Sequence, residues 1–263
     1  MRARGSRAFI VSTGRTGTMA IARCCGSANA SCLALHEPHF PRVTRLLGSL
    51  YQRRRVPGLV PRVFLHILRR RERADSASFY IESNPLLARL IEPLAAIFPG
   101  VTLVHIVRDP VAYISSVESF GTYKGRKAHA MRLVPALAPE VVRHDFAREF
   151  GADTPVVRAA VYWRSLNELI ATDAVRCGLD YRRFRFEDIF SGSDAIAREF
   201  ADLSGGRPDV LQACFRGPRI NASAGGHLDT AAEHWSALER RIVAEVCGEL
   251  AESYGYGPWQ ELE

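Results

Sequence analysis

The sequence is almost without lysine. Lys124 and Lys127 are the only two among 35 basic side chains, so the other 33 are arginine. Recognition of phosphate or sulfate must therefore rest on guanidinium groups and backbone N–H donors. A Walker-type phosphate loop is excluded, because no lysine precedes position 124. Long apolar runs are missing too, and nothing approaches the roughly 18 residues of a spanning helix. After the positive start Met-Arg-Ala-Arg-Gly-Ser-Arg the apolar stretch runs only from Ala8 to Val11, too short for a secretory signal. The six cysteines (24, 25, 32, 177, 214, 247) form no Cys-x-x-Cys pair and no Cys/His zinc spacing. They read as buried free thiols of a reducing compartment, and a cytoplasmic protein is expected.

What is present suits a folded globular chain. It has 263 residues, 47% hydrophobic and 24% charged, which fits one α/β domain over 1–263. The net charge of +7 is local. Between Arg42 and Asp75 ten arginines face only Glu72 and Asp75, which leaves the segment at +8 and the rest of the chain at −1. A nucleic-acid binder is not expected, since that function wants a basic surface reinforced across the domain.

Short apolar runs alternate with helical periodicity. Strands are expected at Phe9–Ser12, Ser31–Leu35, Phe79–Glu82, Val101–Val107 and Tyr181–Phe186. Helices are expected at Thr18–Cys25, Pro85–Phe98, from Pro110 through Val117, Val156–Arg176, Ala195–Leu203 and Ala231–Tyr254. Arg42 to Arg73 has helical spacing interrupted by Pro57 and Pro61, and Gly217 to Gly226 reads as a loop. Strands alternating with helices imply right-handed βαβ units, hence a central parallel sheet flanked by helices.

Two segments carry chemistry. The first is Ser12-Thr13-Gly14-Arg15-Thr16-Gly17-Thr18, where a strand ends in a glycine-containing turn that opens a helix. Free N–H groups and the helix dipole favour an anion there, Arg15 adds a fixed cation, and the Thr16 and Thr18 hydroxyls add donors. The second is His105-Ile106-Val107-Arg108-Asp109-Pro110 through Ser116. Arg108 falls where a strand ends, Asp109 suits an N-cap, Pro110 suits the first helical position, and Ser116 follows two turns later.

Together these segments resemble the sulfotransferases that use 3′-phosphoadenosine 5′-phosphosulfate (PAPS). The resemblance implies a P-loop-like sulfotransferase fold. It assigns Arg15, Thr16, Gly17 and Thr18 to the 5′-phosphosulfate, and Arg108 with Ser116 to the 3′-phosphate. Glu82-Ser83-Asn84-Pro85, Phe186-Glu187-Asp188-Ile189 and the closing segment to Tyr254-Gly255-Tyr256 extend the likeness in order along the chain. Phe186 stands where relatives carry an adenine-contacting tyrosine, Ala20 where some carry tryptophan, and Ser83 where heparan-type members carry lysine. Arg216 and Arg219 loosely resemble a basic loop that closes over the 3′-phosphate.

The resemblance also implies a base. Glu37-Pro38-His39-Phe40 is similar to the Glu-x-His-Phe of heparan-type members, whose glutamate takes the acceptor proton, with His39 and His36 as rivals. Zinc is not expected at His36, Glu37 and His39, and no metal is called for. The implied reaction moves a sulfuryl group from PAPS to a sugar, lipid or natural-product hydroxyl and leaves adenosine 3′,5′-bisphosphate (PAP). Two alternatives remain open here: a P-loop-type small-molecule kinase and a non-catalytic nucleotide- or anion-binding protein. Phe40, Phe120, Tyr123 and Trp163 are candidates for an acceptor cleft or for core. The arginine-rich segment 42–75 is expected to face an anionic acceptor, an anionic membrane surface or solvent.

Overall fold

Ala8, Phe9, Ile10 and Val11 are all 2% exposed or less, so both faces of the first strand are covered. That strand, β1 (Arg7–Ser12), lies at the centre of a five-stranded sheet in the computed structural model, which describes residues 6–38, 40–74, 77–123, 145–217 and 232–257. The other strands are β2 (Cys32–His36), β3 (Phe79–Ser83), β4 (Thr102–Val107) and β5 (Asp180–Arg185). The order is β2-β3-β1-β4-β5, and every pairing is parallel. From β1 the chain winds toward β2 and β3, then passes β1 to reach β4. Open parallel sheets bind ligands beyond the strand ends where the winding reverses.

The helices are α1 (Thr18–Ala28), α2 (Pro41–Gln52), α3 (Leu59–Ala74), α4 (Ile91–Ile97), α5 (Pro110–Phe120), α6 (Phe146–Phe150), α7 (Pro155–Arg176), α8 (Phe186–Phe190), α9 (Asp194–Ser204), α10 (Pro208–Arg216) and α11 (Ala237–Ser253). The chain divides into two compact units, 1–107 with 169–220 and 108–168 with 221–263. In the first, Ala8 and Ile10 join Ile21, Ile81, Val104, Phe200 and Phe215 in a core under α1, α9 and α10. On the other face Phe9 meets Phe98 and Tyr80 edge-on, at ring-centroid distances of 5.0 and 6.0 Å. Each large side chain buried this way gains about 2 kcal/mol over exposure. In the second unit Phe146, Val157, Val161 and Ile242 cluster together, and Trp163 packs on Tyr254.

Several expectations are corrected. Phe186 does not end a strand but opens α8, so β5 stops at Arg185. The single helix expected over 85–98 is a 3-10 turn, Pro85–Arg89, followed by α4. Pro93 has no N–H for the Arg89 carbonyl, and the Gln52 side-chain amide donates to that carbonyl instead, at 2.9 Å. Pro61 does not interrupt α3 but lies in its first turn, where a proline N–H is not needed. The closing helix starts at Ala237, where Ser236 and Glu239 form a reciprocal capping box. Helix α10 has no counterpart in the sequence expectation. Cys24 and Cys214 are joined as a disulfide across α1 and α10, whereas Cys25, Cys32, Cys177 and Cys247 are thiols. Burial pushes the Cys32 thiol up to about 11, and pushes Cys25 and Cys247 higher.

Candidate functional site

The loop after β1 is built by its own short side chains. Ser12 Oγ accepts the Gly14 N–H at 3.0 Å and the Thr16 hydroxyl at 2.7 Å. Gly14, Arg15 and Gly17 have φ of 83°, 57° and 66°, so three of the four residues from 14 to 17 are left-handed. Glycine adopts this conformation freely, but at Arg15 it is strained by about 1–3 kcal/mol. Such strain is a common mark of functional loops. Gly17 caps α1 and has a second constraint: a Cβ there would fall 2.6 Å from the Phe190 ring. A Cβ at Gly14 would meet nothing within 4 Å, so that side of the loop is open. Ser12 to Thr18 contains no carboxylate.

The other half of this site follows β2. His36 ends the strand, and Glu37 is half-buried with φ of 42°, a second strained non-glycine residue. Strand β3 lies between β2 and β1, so the two loops emerge from the same sheet edge about 10 Å apart. Ser83, at the end of β3, connects them. Its carbonyl accepts the Glu37 N–H at 3.1 Å and lies 3.0 Å from His36 Nδ1. Its hydroxyl donates to the Thr18 carbonyl at 2.9 Å. Ser83 is fully buried; the sequence marks it only as part of the Glu-Ser-Asn-Pro likeness and gives it no role in the site. Beside it Glu82, 3% exposed, accepts from Tyr80 at 2.7 Å and Asn84 at 2.8 Å, and the Asn84 N–H donates to the Ile10 carbonyl at 2.8 Å. The Glu-Ser-Asn-Pro segment is thus the brace between the two loops.

The remaining candidates have plainer placements. The Thr16 hydroxyl is buried on Ser12 and shapes the loop. Phe186 is buried against Phe190, ring centroids 4.8 Å apart, and the pair forms the floor beneath Gly17. Arg216 ends α10, is exposed, and donates to the Gly192 carbonyl at 3.1 Å. His39 and Arg219 lie outside the described residues.

Arg108 and Ser116 belong to the second unit. Arg108 is the first residue past β4, and its carbonyl accepts from Trp163 Nε1 at 2.9 Å. Asp109 caps α5 through its carboxylate on the Ala112 N–H at 2.9 Å, Pro110 follows at the first helical position, and Ser116 is buried on the same helix. The local Arg-Asp-Pro geometry thus matches the sequence expectation. Trp163 and Tyr123 are buried, whereas Phe40 and Phe120 are exposed. Among the described residues no group of His, Cys, Asp and Glu could hold a metal ion, and no helix is long and apolar enough to cross a membrane.

The parallel sheet, its winding about β1 and the glycine-containing loop after β1 make an α/β fold that is shared with a solved sulfotransferase domain. A solved structure with this architecture is the "Sulfotransferase Domain from the Curacin Biosynthetic Pathway", similar at a TM-score of 0.54 and 14% identity over 98% of this chain and 99% of that one. At that identity the likeness concerns the fold alone. No protein-family model matches the sequence, and neither does any curated protein.

Proposed function

We propose that this protein is a sulfotransferase that moves a sulfuryl group from PAPS to an acceptor hydroxyl, with Glu37 as the base. The observation that carries the reading is the Ser83 brace, which ties a strained, glycine-containing anion loop to a strained glutamate on one sheet edge. The loop suits an anion: it has no carboxylate, it has an open side at Gly14, and it holds one arginine in a fixed backbone geometry.

Arg15, Gly17 and Thr18, with Thr16 bracing them, bind the 5′-phosphosulfate. Arg108 and Ser116 bind the 3′-phosphate, Phe186 supports the nucleotide end, and Arg216 with Arg219 serve the closing basic loop. PAPS supplies an activated sulfuryl group on a phosphate leaving group. Glu37 takes the acceptor hydroxyl proton as the oxygen–sulfur bond forms and the sulfur–phosphate oxygen bond breaks. Arg15 and the loop N–H groups stabilise the charge that develops on the departing PAP oxygen. No role in this scheme requires a lysine, which a nucleotide-triphosphate kinase loop does.

Transfer of radiolabelled sulfate from PAPS across sugar, lipid and phenolic acceptors tests the reading. Expected is one acceptor class that is labelled by the wild-type chain and lost with Glu37→Gln. Labelling that is equal in wild type and Glu37→Gln would remove the glutamate base.

A further inference from the structure

Helix α3 carries two apolar stripes. Pro61 and Leu65 are buried, and the helix packs on α4. Leu59, Val60, Val63 and Ile67 are 69, 43, 52 and 51% exposed. At about 100° per residue these four fall in one arc of about 100°, centred opposite Leu65. Scattered exposed aliphatics need no explanation, but an outward stripe of four along one helix does.

The surroundings of the stripe are cationic. Arg62 and His66 flank it on the exposed surface of α3, and Arg54 and Arg55 are exposed in the turn that leads into the helix. In sequence the helix continues as Arg69-Arg70-Arg71-Glu72-Arg73. This is the same interval that holds the +8 of the chain. A second copy of the chain is a poor occupant, since self-pairing would set one such segment against another. An anionic lipid surface satisfies both features, because the headgroups neutralise the guanidiniums while the aliphatic stripe enters the acyl boundary. With 16 residues the helix is about 24 Å long, too short and too charged to span the bilayer, so it lies in the interface plane.

We propose that α3 is a membrane-interface helix that docks this protein on anionic phospholipid, with Leu59, Val60, Val63 and Ile67 as the inserting residues and Arg54, Arg55 and Arg62 as headgroup contacts. The inference stands on α3 itself and is independent of the sulfotransferase reading.

Flotation of the full chain with phosphatidylcholine vesicles and with mixed phosphatidylcholine–phosphatidylglycerol vesicles is the test. Wild type is expected to float with the anionic vesicles, to stay behind with neutral ones, and to be released as salt rises. Arg54→Gln with Arg55→Gln and Arg62→Gln removes three charges and is expected to weaken binding about a hundredfold, at about fivefold per charge. Val63→Asp with Ile67→Asp is expected to abolish binding with an unchanged circular-dichroism spectrum. Equal binding of wild type to neutral and anionic vesicles, no binding to either, or undiminished binding of the two variants would overturn the proposal. A wild-type dimer that Val63→Asp with Ile67→Asp converts to monomer would also overturn it and assign the stripe to a second copy.

Discussion

Ser83 binds Thr18 and Glu37 at once: its hydroxyl donates to the Thr18 carbonyl at 2.9 Å, and its carbonyl accepts the Glu37 N–H at 3.1 Å. One residue thereby fixes the start of α1 relative to the loop that carries the proposed base. Ser83→Ala keeps the backbone contact to Glu37 but removes the hydroxyl contact to Thr18. The expected cost is about 1 kcal/mol of stability, a fall in Tm of about 2–4 °C. Weaker PAP binding should accompany it. Ser83→Thr retains the hydroxyl and should recover most of the binding. An Ala variant with wild-type Tm and PAP affinity would show the brace to be idle.

The two glycines of the proposed anion loop make a paired prediction. Gly14→Ala meets open space and should cost only its left-handed backbone, about 1 kcal/mol. Gly17→Ala carries the same backbone penalty and also drives a methyl into the Phe190 ring. It should be destabilised by about 1–3 kcal/mol more. Phe190→Ala in the Gly17→Ala background should recover part of that extra loss, read as non-additivity in denaturant unfolding. Equal stability of the two single variants would contradict the close approach.

Thiol titration checks the pairing of α1 with α10. Denatured without reductant, the chain should react at four cysteines, and after reduction at all six. In the folded protein Cys25 and Cys32 should resist alkylation, because burial holds both thiols protonated. Six reactive thiols in the denatured, unreduced chain would remove the Cys24–Cys214 bond.

Alkaline stability reports on how α2 is held. Tyr51 on α2 donates to Glu92 on α4 at 2.8 Å, and Arg176 reaches the same carboxylate at 3.0 Å. Burial, with the bond to Glu92, pushes the Tyr51 hydroxyl up to about 12. The folded form thus holds this proton more tightly than the unfolded form does. Its stabilising contribution is complete below about pH 10 and is lost as pH rises toward 12. Tyr51→Phe should lower stability at neutral pH and flatten the loss between pH 10 and 12. An alkaline unfolding profile unchanged by the substitution would contradict this coupling.

The fold was legible because its signals are local. Val101 to Val107 reads as a strand buried on both faces, and Thr102–Val107 form β4 beside β1. Asp109 and Pro110 announced the start of α5 by cap chemistry that needs no partner from elsewhere. The misplaced end of β5 has a tertiary cause: Phe186 has a strand-former's side chain, but its ring is drawn onto Phe190 and Gly17. The disulfide was illegible because Cys24 and Cys214 stand 190 residues apart and meet only when α10 packs on α1. The bracing role of Ser83 was hidden for the same reason. Its role depends on β3 lying between β2 and β1, which strand order decides and no local spacing reveals.

Calorimetric titration with PAP and with ATP, on wild type and Arg15→Ala, tests the central claim without knowledge of the acceptor. PAP should bind in preference to ATP, and Arg15→Ala should weaken PAP by about 10- to 100-fold, the worth of a charge-assisted contact. Preference for ATP, or PAP affinity untouched by Arg15→Ala, would contradict it.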